Sequence, residues 1–149
     1  MKWIIWGIVV YFLTACSNTN YYKHPVEKNN NALSSIIGSK IDSGNVFLAD
    51  KITYINIVDG FPVKWMHNKF DKVIYIKPGV HDVRLVNTHG LSSSFVNLQL
   101  LMIKGEKYIG KSKIVDVVTV KFWIENSKGN MVTEKLVSGR RRESSPIIL

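Results

Sequence analysis

Cysteine is almost absent from this chain, with one in 149 residues, at position 16. Without a second thiol there is no intrachain disulfide framework and no thiolate zinc site, so a domain built from this sequence must rely on its core. Acidic residues are also scarce, 11 Asp and Glu against 20 Lys and Arg, which leaves a formal net charge of +9. The patterns that announce common chemistries are missing as well. No Gly-rich loop opens a helix to cradle a phosphate or dinucleotide, and neither a Gly-x-Ser-x-Gly elbow nor a Ser-x-x-Lys pair is present. The most continuous apolar run, Trp3 to Leu13, is too short to cross a bilayer comfortably as a helix.

That run has a different meaning. One positive residue, Lys2, precedes it, and Leu13-Thr14-Ala15-Cys16 follows, which is the layout of a signal-peptide core with its cleavage site. The four residues resemble the lipobox of bacterial lipoproteins: a branched apolar residue, two small ones, then cysteine. The resemblance implies a signal peptide over residues 1–15, cleavage before Cys16, and acylation of Cys16 on its thiol and new amino group. One acyl chain holds a protein only marginally and two or three hold it stably, at about 0.8 kcal/mol for each buried methylene. Ser17, rather than aspartate, follows the cysteine, and in a Gram-negative host the same resemblance implies transfer to the outer membrane. The competing reading is a transmembrane anchor with a chance cysteine at its end.

Removing residues 1–15 from 149 leaves 134 residues, enough for one domain and too few for two comfortable ones. Residues 16–33 read as the lipidated cysteine and a flexible tether, because Ser17 to Asn31 is polar, carries Pro25 and three consecutive asparagines, and shows no periodicity. Tyr21 and Tyr22 are expected to be simply exposed, with a place at the membrane interface as the alternative. From Ala32 to Ile41 the pattern is ambiguous: Ser34 or Ser35 suits a helix N-cap, while Gly38 argues against a long helix.

Beyond that point β-branched and aromatic residues come in short runs separated by Gly, Pro, Asn and Asp. Strands are expected at Val46 to Ala49, Ile52 to Val58, Val63 to Trp65, Val73 to Lys77, His81 to Asn87, Phe95 to Ile103, Tyr108 to Lys111, Val115 to Glu125 and Met131 to Val137. The fold class is therefore all-β, a single antiparallel β-sandwich or small barrel over residues 34–139, with a basic tail at 140–149. Asp59-Gly60 and Pro78-Gly79 are expected turns, the first with a glycine at positive φ. Val118, Val120, Phe122 and Ile124 form one face of the longest strand and are assigned to the core.

The stretch Ile52 to Val86 is similar to the PEGA-type β-sandwich repeat of bacterial surface proteins. It shows a strand, an Asp-Gly turn, a second strand, then Pro78-Gly79-Val80-His81 before a further strand. Phe61-Pro62-Val63-Lys64-Trp65 departs from that pattern, where such repeats have a small, Gly-containing segment. The mature chain also resembles small Gram-negative lipoproteins carrying one such module. The resemblance brings no catalytic residue and implies adhesion, scaffolding or binding at the envelope.

The residues that could carry chemistry also have plainer roles. His67, His81 and His89, with Asp71 or Asp82, have no metal-ligand spacing, and His81 is placed to satisfy turn carbonyls instead. Ser92-Ser93-Ser94 near His89 reads as a serine-rich loop rather than a nucleophile. The carboxylate pairs Asp59 with Asp71 and Glu125 with Glu134 read as surface residues rather than glycosidase acids. No cofactor and no metal are expected, and no catalytic residue is assigned.

Two features point to binding. The positive charge suits anionic envelope lipids or glycans, and nucleic acid is not an expected partner there. Its densest cluster is Arg140-Arg141-Arg142, whose plainer reading is a solvated terminus. Aromatics and cations also alternate in Phe61, Lys64, Trp65, Lys69 and Phe70, a loop that suits sugars or a protein partner unless its rings are core. The expectation is a non-catalytic, lipid-anchored outer-membrane protein that binds or scaffolds, with an anionic lipid or glycan or another envelope protein as partner. The alternatives are an envelope enzyme acting on glycans, or an inhibitor or host-contact factor.

Overall fold

The computed structural model describes residues 20–25, 32–42, 44, 50–64, 71–90, 92–116, 118–138 and 141–142. Eleven strands occur among them: β1 Ser34–Ile37, β2 Ser39–Ile41, β3 Lys51–Val58, β4 Phe61–Pro62, β5 Ile74–Ile76, β6 Gly79–His89, β7 Ser92–Met102, β8 Lys107–Ile114, β9 Thr119–Asn126, β10 Met131–Ser138 and β11 Arg141–Arg142. They form two sheets, ordered β10-β9-β8-β1-β5 and β11-β7-β6-β3-β2, with β4 paired to β3. The sheets do not close into a barrel, and the all-β expectation holds in its sandwich form. No helix among the described residues is long and apolar enough to cross a membrane.

Alternation builds the core. Ile55 and Val58 of β3, Val83 and Leu85 of β6, Val96, Leu98 and Leu100 of β7, and Val120, Phe122 and Ile124 of β9 are all buried and meet between the sheets. The Asp59-Gly60 turn joins β3 to β4 through two residues, both at positive φ (50° and 81°), which matches the right-handed twist of the flanking strands. Val86 breaks the alternation. It is buried on the outer face, in register between Tyr54 and Phe95.

The ambiguous segment is strand, not helix. Ser34 caps nothing; its hydroxyl donates to Ile103 O at 2.7 Å, and β1 lies between β5 and β8, where Ile36 is fully buried. At Gly38 the chain leaves one sheet and enters the other as β2. The run Val115 to Glu125 is not one strand. The Asp116 carboxylate accepts from Val118 N and Thr119 N (2.9 and 2.7 Å), a side-chain turn that ends β8 at Ile114 and starts β9 at Thr119. Val118 is consequently 55% exposed rather than core. The Val63 to Trp65 run gives way to the shorter β4, because pairing with β3 starts directly after the two-residue turn; Trp65 and the expected strand Val46 to Ala49 lie outside the described residues.

Candidate functional site

The Asp59-Gly60 turn is held by a set of bonds reaching across to β6. Asp59 N donates to Asp82 O (2.8 Å), Asp82 N donates to Asp59 Oδ1 (3.0 Å), and Asp59 Oδ2 lies 2.6 Å from His81 Nδ1. The other ring nitrogen of His81 is 2.9 Å from Lys77 O. With one ring nitrogen at the Asp59 carboxylate and the other at the Lys77 carbonyl, His81 ties the Asp-Gly turn to the Pro78-Gly79 turn. This is the turn-satisfying role expected of His81. It also gives a physical reason for the spacing of Asp-Gly and Pro-Gly-x-His in this sequence.

Residues 20–25 lie on this region. Tyr22 N donates to Pro62 O at 2.8 Å, and the Tyr22 hydroxyl donates to Tyr75 O at 3.1 Å. Tyr75 N donates to His24 Nδ1 at 3.2 Å. Since β5 is the edge of its sheet, the outward N–H and C=O of Tyr75 have no strand to pair with, and these two side chains take that place. The rings of Tyr22, His24 and Tyr75 meet edge to face, with centroids 5.8 and 6.4 Å apart. Burial, aided by Asp59, pushes the Tyr22 phenol up from its ordinary value. Burial and the Lys72 ammonium hold the His24 imidazole below its own. Part of the expected flexible tether is thus seated on the domain, and Tyr22 is half-buried against the core rather than exposed. Tyr22 and His24 alternate as on a strand, but the edge they cover is more than fifty residues away, beyond what local pattern reveals.

Tyr21 and Phe61, each 49% exposed, line one hollow of about 440 Å³ with Lys23 and Asp59. Lys64 follows on the exposed surface, and its carbonyl accepts from Lys72 Nζ at 3.2 Å. Of the sequence-derived binding loop, Phe61 and Lys64 are both exposed. Trp65, Lys69 and Phe70 lie outside the described residues, as do His67, Arg140 and Cys16. A second, larger groove of about 720 Å³ crosses the outer face of the other sheet, floored by Ile37, Val73, Tyr75 and Ile109, with Lys107 at its side.

Arg141–Arg142 pairs with Ser92 and Ser93 as β11, so these two residues belong to a sheet rather than to a solvated tail. That position is at the far end of β7 from the Asp59 turn. The Asp59 turn bonds to Asp82, which pairs with Gln99, six steps along β7 from Ser93 or about 20 Å at 3.3 Å each, so the described residues of the two sequence-derived binding patches do not converge.

The remaining chemical candidates are dispersed. His81 and His89 stand eight residues apart on β6, roughly 26 Å at the same rise. Ser92, Ser93 and Ser94 begin β7 instead of forming a loop, because each pairs in register with β6. Glu125 accepts from Lys111 Nζ (2.6 Å) and from Trp123 Nε1 (2.7 Å), which together hold it below the usual carboxylate range, and Glu134 pairs with Lys121 at 2.5 Å. Among the described residues no group of three His, Cys, Asp or Glu gathers as metal ligands. Comparison with protein-family models, with curated proteins and with solved structures finds no match for this chain.

Proposed function

We propose that this chain is a lipid-anchored protein of the bacterial outer membrane that binds or scaffolds at the envelope and carries out no chemistry of its own. The observation that carries the binding role is the pairing of its charges. Lys40, Lys111 and Lys121 meet Asp50, Glu125 and Glu134. Lys23, Lys64, Lys77, Lys104 and Lys107 have no ion-pair partner among the described residues, in a chain whose formal charge is +9. A surface that leaves these five lysines without carboxylate partners attracts anionic lipid or glycan, and the attraction weakens with salt. The anchor rests on Leu13-Thr14-Ala15-Cys16.

Fatty-acid labelling of the producing cell, followed by membrane fractionation, tests the anchor with the native chain and Cys16→Ala. The native chain is expected to carry label and fractionate with the outer membrane, and the variant to lose both. A variant that still carries label contradicts the anchor.

A further inference from the structure

We propose that Tyr21, Lys23, Phe61 and Lys64 form a membrane-interface contact that lays the domain directly on the anionic bilayer. The inference rests on the lipid-anchor reading and goes beyond it, from a tethered domain to one with a fixed side toward the lipid.

The first support is the character of the surface. Phe61 follows a two-residue turn that the Asp59–His81–Lys77 bonds hold rigid, and Pro62 O is fastened by Tyr22 N. A large apolar ring is thereby kept half out of the protein, next to Tyr21, which is equally exposed. An aromatic body with a polar neighbour is the side-chain type that settles at headgroup depth.

The second is charge. Lys23 lines the hollow with the aromatic pair, Lys64 is exposed three residues after Phe61 with Lys72 bonded to its carbonyl, and Asp59, the one carboxylate lining the hollow among the described residues, is already bound by His81 and Asp82 N. Each lysine held near an anionic surface strengthens binding roughly fivefold.

The third is length. A free spacer over residues 17–31 would let the domain stand about 50 Å away if fully extended. The segment is instead seated on the domain from Asn20 onward, so three residues join Cys16 to it, and the four Cα-to-Cα steps span at most about 14 Å. An acyl group on Cys16 therefore brings the Tyr21–Phe61 surface to within one or two Debye lengths of the headgroups, while Arg141–Arg142 occupies the far end of the sandwich.

The test uses the lipidated full chain reconstituted in vesicles of phosphatidylethanolamine and phosphatidylglycerol, with a nitroxide at Lys23→Cys or, at the other end of β6, at Thr88→Cys. The Lys23 site is expected to report headgroup depth and the Thr88 site bulk solvent. Two solvent-like sites in a chain that carries its acyl label overturn the contact and leave the anchor standing. Sedimentation of the unlipidated Cys16→Ser chain with the same vesicles decides the contact without the anchor. Phe61→Ser and Lys23→Glu are each expected to weaken it, by about tenfold and fivefold, with thermal unfolding unchanged for the exposed lysine. Leu101→Ser, at an exposed residue on another face, is expected to leave it unchanged. Binding that ignores Phe61→Ser and Lys23→Glu, or that is lost with Leu101→Ser, overturns the proposal.

Discussion

The two ends of the sandwich are held by different forces. Toward the Asp59 turn the inward positions are Ile55, Val58, Val83, Leu98, Leu100 and Tyr108, all buried and apolar apart from one phenol. Following the same strands toward β11, the inward positions become Thr53, Asn87, Ser94 and Ser112, equally buried and polar. There the hydroxyls of Thr53 and Ser112 lie 2.6 Å apart, and Asn87 Nδ2 donates to Ser112 Oγ at 2.8 Å, which joins β3 and β6 of one sheet to β8 of the other. Gly110 lies between the two regions. A methyl group there would stand 2.7 Å from Leu85 Cδ2, so the missing side chain is what admits Leu85 from the facing sheet. Apolar burial stabilises without direction, whereas a satisfied polar cluster fixes one register and one sheet-to-sheet alignment. The end that carries the exposed aromatics and the seated N-terminal segment is the one with the apolar core.

The largest effect is expected at an apolar side chain of β9 that stands opposite Ser112 in register. Phe122 is fully buried, and Phe122→Ala should cost about 3–5 kcal/mol by chemical denaturation, through lost transfer energy and the cavity left behind. Gly110→Ala should cost about 1–3 kcal/mol, because Leu85 is itself fully buried and has little room to shift. A neutral result at Gly110 would mean that the sheets separate more readily than their contact suggests.

In the polar half, Ser112→Ala removes the shared partner of Thr53 and Asn87 and should cost about 1–3 kcal/mol. The triple variant Thr53→Val, Asn87→Leu, Ser112→Ala leaves no group unsatisfied and should recover most of that loss. If the triple variant is worse than the single one, packing rather than hydrogen bonding holds this end.

The smallest effect concerns the seated N-terminal segment. With Nδ1 accepting from Tyr75 N, the docked His24 ring is neutral, and its folded pKa lies below the ordinary imidazole value. The undocked form then binds more protons, so docking is unimpaired above about pH 6.5 and weakens as the pH falls below that value. Amide exchange at Tyr75 should rise on acidification after correction for intrinsic rates, and His24→Gln should flatten the response. A pH-independent protection at Tyr75 would show that Tyr22 alone seats the segment.

Much of the fold was legible because its signals are local. The Asp59-Gly60 turn, the alternation in Val120-Lys121-Phe122-Trp123-Ile124 and the punctuation by Pro78-Gly79 need only neighbouring residues. What escaped depends on distant partners or on one side chain competing with the ladder. Ser34 to Ile41 becomes two strands because β5, β8 and β3 are there to pair with them, and no propensity within eight residues encodes that. Asp116 interrupts an apolar run through its carboxylate, which hydropathy does not weigh. In the binding surface, Phe61 and Lys64 were visible as an aromatic and cationic cluster. Tyr21 and Lys23 were not, since they join it only once Tyr22 and His24 dock on an edge strand more than fifty residues on.

The most direct test of the anchored protein is the intact mass of the chain extracted from the membranes of its producing cell. A species beginning at Cys16, heavier than residues 16–149 by a diacylglyceryl group and an amide-linked acyl chain, is the predicted result. A species that retains residues 1–15, or one that begins at Cys16 with no added lipid, contradicts it.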